Sequence, residues 1–65
     1  MRLSAHQVRI LQTLREYQRA ELVSLDIAIA STLADLRHLC DAKSLDFGHL
    51  DSLGYSHYSE ENGRQ

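Results

Sequence analysis

The residue types best suited to metal binding in this 65-residue chain are four histidines and one cysteine. Zinc sites need three or four ligands that converge tetrahedrally, and helical sites often supply them as His pairs three to five residues apart. His38 and Asp41 are three residues apart, but His49 and His57 are eight apart, so no His pair has that spacing. The spacing predicts surface or helix-packing histidines and no metal site.

Cys40 lies on an apolar stripe near the carboxyl end of a predicted helix. A reactive cysteine needs a nearby cation or a helix amino terminus, whereas the dipole at a helix carboxyl end disfavours a thiolate. A lone cysteine forms no disulfide within the chain, and without a signal peptide it is typical of a reduced cytosolic thiol. We predict a buried, unreactive Cys40 in a cytoplasmic protein.

Carboxylates are the remaining candidates for acid–base or metal chemistry. Their spacing places no four of the five aspartates on one helical face: Asp26, Asp35, Asp41, Asp46 and Asp51. No catalytic, phosphate-loop or cofactor motif accompanies them. We therefore predict no catalytic residues, no cofactor and no enzyme activity.

Tyrosines and arginines offer binding chemistry instead. Tyr55 falls beside the apolar face of the last predicted helix, and an aromatic side chain exposed beside an apolar patch is typical of binding anchors. Tyr58 lies nearby in sequence, and Arg15 and Arg19 belong to the first predicted helix. A purely structural interpretation stays open, because scattered surface aromatics are common. We hypothesise that these four residues contribute to a protein-binding surface.

The elements that would position these residues are all helical. No proline occurs and no glycine precedes Gly48, so the first 47 residues lack strong helix breakers. Ser4 and Gln7 have the spacing of a capping box, and Asp46 is the expected N-cap of a last helix. A break near residues 18–21 would give a helical hairpin. The alternative is one continuous helix of about 38 residues, about 57 Å long, which would need a partner.

The second helical segment is apolar on two faces. One face is a nearly heptad stripe: Leu22, Leu25, Ile29, Leu33, Leu36 and Cys40. The other face is narrower and rich in alanine: Val23, Ile27, Ala30 and Ala34. A helix with two apolar faces needs two neighbours, and so small a chain gains stability from self-association. We expect the leucine-rich face to pack within the chain and the alanine-rich face to bind a second copy.

Charge and length limit the partners further. The net charge of −2 disfavours nucleic acid, which is bound largely through Lys and Arg, and no apolar run is long enough for a membrane anchor. An alternative fold is a helix-turn-helix with helices at 3–14, 20–27 and 31–43. Its recognition helix would offer Arg37 and Lys43 to DNA, but Asp35 and Asp41 accompany them.

The second half of the chain carries a recognisable pattern, Leu-Arg-His-Leu-Cys-Asp at 36–41, then Leu-Asp-Phe at 45–47 and His-Tyr at 57–58. This pattern resembles small uncharacterised open reading frames of phages, plasmids and proteobacteria, which imply no specific function. In outline the helices are also similar to those of MazG-like pyrophosphatases, but the Glu-Glu-x-x-Glu metal motif of that family is absent. A phage setting would favour inhibition of a host protein, by analogy.

Together these patterns predict an all-α fold, a helical hairpin with a short C-terminal helix that forms a homodimer. Residues 1–59 would be one domain, and residues 60–65 a polar, frayed tail. The predicted function is a non-catalytic, protein-binding regulator or inhibitor, with the DNA-binding regulator as the alternative.

Overall fold

The computed structural model describes residues 2–62, and every regular element in that range is an α-helix. The helices are α1 (Ala5–Glu21), α2 (Leu25–Ala42) and α3 (Phe47–Asn62). The all-α prediction is confirmed, and the first two helices are separate. The prediction of a short third helix is wrong, since α3 has 16 residues against 17 in α1 and 18 in α2. Of the predicted tail, residues 60–62 belong to α3, and residues 63–65 lie outside the described residues.

The amino end of α1 has the predicted capping box. The Gln7 backbone N–H donates to Ser4 Oγ at 3.2 Å, and the Ser4 backbone N–H donates to Gln7 Oε1 at 2.8 Å. These two bonds satisfy donors that the first turn of a helix otherwise leaves unpaired.

The carboxyl end of α1 lies beyond the predicted break. Leu22 adopts the left-handed conformation (φ 55°), and its N–H donates to the Gln18 carbonyl at 2.8 Å. A left-handed residue after the last turn is a common way to end a helix, although glycine is the usual residue there. The interruption therefore covers residues 22–24, rather than residues 18–21.

The chain divides into two compact units, Met1–Asp35 and Leu36–Gln65. In the first unit Leu14 and Ala28 are buried, and α1 and α2 also share polar contacts. Ser31 Oγ donates to Glu21 Oε1 at 3.1 Å, and Asp35 is close enough to the Tyr17 hydroxyl to raise the pKa of Tyr17. Small or polar side chains of α2 thus meet α1.

The leucine-rich face of α2 is arranged differently from the prediction. Leu25, Ile29 and Leu33 are each more than two-fifths exposed. The expectation that this face packs inside the chain is therefore wrong for these three residues. Ala28 is the buried residue of this part of α2, and Ser31 is the residue that bonds Glu21 of α1; short side chains such as these allow two helices to approach closely.

The second unit is organised by the turn between α2 and α3. Ser44 is left-handed (φ 57°), and the Leu45 N–H donates to the Cys40 carbonyl at 2.8 Å, while the Ser44 N–H donates to the Asp41 carbonyl at 3.3 Å. This pairing is a Schellman motif. Asp46 then caps α3 as predicted, with its Oδ1 accepting from the His49 N–H at 3.1 Å.

Two side-chain features complete this unit. The Arg37 guanidinium lies 4.3 Å from the centre of the Phe47 ring, within range of a cation–π interaction. Cys40 is free and buried, which confirms the predicted burial of this thiol. Within residues 2–62, no helix is both long enough and apolar enough to cross a membrane.

Candidate protein-binding surfaces

The tyrosine side chains of α3 share one exposed side of the helix. Tyr55 and Tyr58 are 69% and 60% exposed. The two tyrosines are three residues apart and therefore neighbours on the helix. Their ring centroids are 6.2 Å apart, with an interplanar angle of 37°. A pair of exposed aromatic rings has the composition of a binding anchor.

The charged side chains of α3 are all acidic. Between residues 47 and 62 the sequence has three carboxylate side chains, Asp51, Glu60 and Glu61, and no lysine or arginine. Such a surface attracts cationic partners and repels anionic ones, including the phosphate backbone of nucleic acids.

The predicted arginines lie on α1, in the first unit. Arg15 and Arg19 are both exposed, as is Arg9, whose guanidinium is 3.1 Å from His6 Nδ1. Arg15 and Arg19 are four residues apart on one helix, so their guanidinium groups serve the same side of α1. They form a cationic surface within their own unit, described independently of α3.

Three of the four predicted dimer residues, Ile27, Ala30 and Ala34, lie together on one side of α2. Ile27 is 48% exposed, Ala30 and Ala34 are exposed, and Val23 is partly buried before the helix begins. The Val23 carbonyl accepts a hydrogen bond from Gln18 Nε2 at 3.4 Å. Sequence reasoning thus found an available apolar side of α2, but missed that the leucine-rich side is equally available.

Polar groups of the first unit were not predicted from sequence. The hydrogen bond to the Asp35 carboxylate raises the pKa of Tyr17, and the nearby charges of Asp35 and Glu21 act in the same direction. The Ser24 hydroxyl and the Ile27 N–H lower the pKa of Asp26 by hydrogen bonding to its carboxylate. Tyr17 and Asp35 are 18 residues apart on different helices, so no local pattern could have paired them.

Concave features of the described residues are slight. A shallow depression of about 260 Å³ is lined by Glu16, Tyr17, Ala20 and Glu21, smaller than the usual ligand pocket of about 300–1,000 Å³. Among residues 2–62, no three His, Cys, Asp or Glu side chains come close enough to hold a metal ion.

The helices also differ from those of the alternative helix-turn-helix fold. That fold requires a helix over residues 20–27, but the chain leaves α1 at Leu22 and enters α2 at Leu25. The first helix of that fold would end at residue 14, but α1 ends at Glu21, and its third helix would begin at residue 31, but α2 begins at Leu25. The observed helices therefore do not match that alternative.

Comparison of the chain with protein-family models, with curated proteins and with solved structures finds no match.

Proposed function

We propose that this chain is a homodimeric, non-catalytic protein-binding module, a small regulator or inhibitor that acts through its helical surfaces. Its first two helices form a helical hairpin, and the side of α3 that carries Tyr55 and Tyr58 binds the partner. Arg15 and Arg19 of α1 add a cationic contact of their own. In a phage setting, the partner would be a protein of the host.

One observation carries this proposal. Among the described residues, fifteen large hydrophobic side chains are at least 40% exposed, whereas only Leu14, Ala28 and Cys40 form a buried apolar core. Single exposed leucines are ordinary on protein surfaces, but contiguous apolar surface marks interaction sites. Protein binding is the function that such a surface supports best.

The chemistry of α3 favours a binding role for Tyr55 and Tyr58 in particular. Tyrosine supplies a large contact area at a small cost in side-chain entropy, since it has few rotatable bonds. The Tyr55 side chain is 69% exposed, so its removal should leave the helix intact.

The test is capture of partners from a nuclease-treated lysate of the host cell, followed by mass spectrometry, with three baits. The wild-type chain should recover one protein in near-stoichiometric amount. Tyr55→Ala should lose most of that protein, because an aromatic anchor typically contributes more than about 2 kcal/mol to binding. His49→Ala is the matched control, since His49 is exposed on a different side of α3 and its replacement should change nothing.

Three results would contradict the proposal. Recovery of the bait alone would show that no protein partner binds under these conditions. Equal recovery of the partner by wild type and by Tyr55→Ala would show that Tyr55 does not belong to the binding surface. A nucleic acid retained by untreated baits, with affinity that falls steeply as salt rises, would instead favour the DNA-binding alternative.

A further inference from the structure

One side of α2 presents a row of exposed large aliphatic side chains. Leu25, Ile29, Leu33 and Leu36 are 42–49% exposed, and we call them the leucine seam. Their spacings of four, four and three residues keep them within about 80° of each other around the helix axis. Leu36 follows Asp35 in the same continuous helix, so the helical repeat alone assigns it to this side.

We propose that a second copy of this chain binds the leucine seam, with the two α2 helices antiparallel. This proposal rests on the homodimer of the proposed function and assigns the surface through which it forms. That surface is the leucine seam, whereas the sequence predicted the alanine-rich face. A two-fold axis between Ile29 and Leu33 puts Leu36 of the second copy opposite Leu25, and its Leu33 opposite Ile29. The seam therefore complements itself, as a two-fold interface requires.

Charge complementarity selects the antiparallel orientation. Asp26 and Arg37 flank the seam on the same side of α2, eleven residues apart, which is close to three helical turns. The same two-fold axis places Asp26 of one copy beside Arg37 of the other, and this happens twice in the dimer. A parallel pair would place Asp26 of one copy and Arg37 of the other about eleven residues apart along the helices, so these opposite charges would not meet. Antiparallel helix dipoles add to this preference.

The chain contains a matched pair of residues for the test. Ile27 and Ile29 are the same residue type in the same helix, and they are 48% and 44% exposed. They lie about 160° apart around the axis, so Ile29 belongs to the seam and Ile27 to the alanine-rich face. Replacing either by serine removes the same side chain from a similarly exposed place.

Sedimentation equilibrium of the wild-type chain should show a dimer. Ile29→Ser should weaken dimerisation by at least about 100-fold, because each dimer loses two apolar side chains from the seam. Ile27→Ser should leave the dissociation constant within a few-fold of wild type, and circular dichroism should report helix in both variants. The assignment to the seam would be overturned if the dimer dissociates only in Ile27→Ser, if it dissociates in both variants, or if it dissociates in neither. A wild-type monomer would overturn the self-association as well.

A second set of variants tests the orientation without removing apolar contacts. Asp26→Lys should weaken the antiparallel dimer several-fold, because the introduced ammonium group would face Arg37 of the second copy. The double variant Asp26→Lys with Arg37→Glu should recover the loss, since each pair would again join opposite charges. Loss of the Arg37–Phe47 contact by itself would give no such recovery. An unchanged dissociation constant for Asp26→Lys would overturn the antiparallel arrangement.

Discussion

The two compact units are stabilised by different kinds of contact. In the first unit, contacts between helices dominate: Leu14 and Ala28 are buried, and Glu21 pairs with Ser31. In the second unit, the clearest contacts are local in sequence, namely the Schellman motif at Ser44 and the Asp46 cap. Local chain chemistry therefore defines the turn of the second unit, whereas packing between helices defines the arrangement of the first.

The largest difference in stability between the two units is expected when Leu14 is replaced. Leu14→Ala should cost about 2–5 kcal/mol, because it removes a buried side chain and leaves a cavity. A small domain has about 5–15 kcal/mol in total, so this loss should be a large part of the free energy of unfolding. Urea unfolding followed by circular dichroism measures the loss.

Leu50→Ala is the control in the second unit. Leu50 is already 40% exposed, so its truncation should cost about 1 kcal/mol or less. Amide hydrogen exchange should show that Leu14→Ala exposes α1 more than α3. Equal loss of protection in α1 and α3 would mean that the two units unfold as one.

The contrast between the units also shows how far sequence patterns lead. The Ser4–Gln7 capping box and the Asp46 cap follow from sequence, because each depends on residues within a few positions of one another. The burial of Cys40 was predicted from its place in the apolar helical repeat of α2. The position of the break between α1 and α2 could not be predicted from sequence, since Leu22 is not a residue that commonly adopts a left-handed conformation.

The side of α2 that packs on α1 was mispredicted for a different reason. Hydrophobicity ranks Leu25, Ile29 and Leu33 above Ala28, but packing depends on the fit of side chains across two helices. Ala28 is fully buried, whereas the three larger side chains are 42–49% exposed. Of the candidate binding residues, sequence could locate the α3 tyrosines on one helix, but it could not reveal that both apolar sides of α2 are exposed.

The two turns differ in a way that one substitution each can measure. Ser44→Gly should stabilise the second unit by about 0.5–1 kcal/mol, because glycine adopts positive φ without the steric cost of a Cβ. The backbone hydrogen bonds of the Schellman motif would remain, since they do not involve the Ser44 side chain. Thermal unfolding of the variant measures the gain.

Leu22→Gly is the equivalent change in the first turn. Leu22 is 89% exposed at φ 55°, so relief of the left-handed conformation should give a gain of similar size. A loss of stability would instead show that the Leu22 side chain packs against something in the assembled protein, and the comparison of the two turns would then fail.

The smallest effect is expected at alkaline pH, and it should be confined to the first unit. The Asp35 carboxylate raises the pKa of Tyr17 above its ordinary value of 10.0. A group whose pKa is raised by folding stabilises the folded state below its unfolded pKa, and that contribution disappears as the pH rises through the folded pKa. The free energy of unfolding should therefore decline above about pH 10, as ionised Tyr17 can no longer donate its proton and faces the negative charge of Asp35.

Tyr17→Phe is the variant that isolates this contribution. Urea midpoints between about pH 8 and 12 should converge for Tyr17→Phe and wild type as the pH rises, since the variant has no hydroxyl to ionise. Tyr55→Phe serves as the control, because Tyr55 is exposed on α3 and its replacement should leave the decline unchanged. If the difference between wild type and Tyr17→Phe is constant over this range, the interaction with Asp35 does not stabilise the first unit, and other contacts, among them the Ser31–Glu21 hydrogen bond, join α1 to α2.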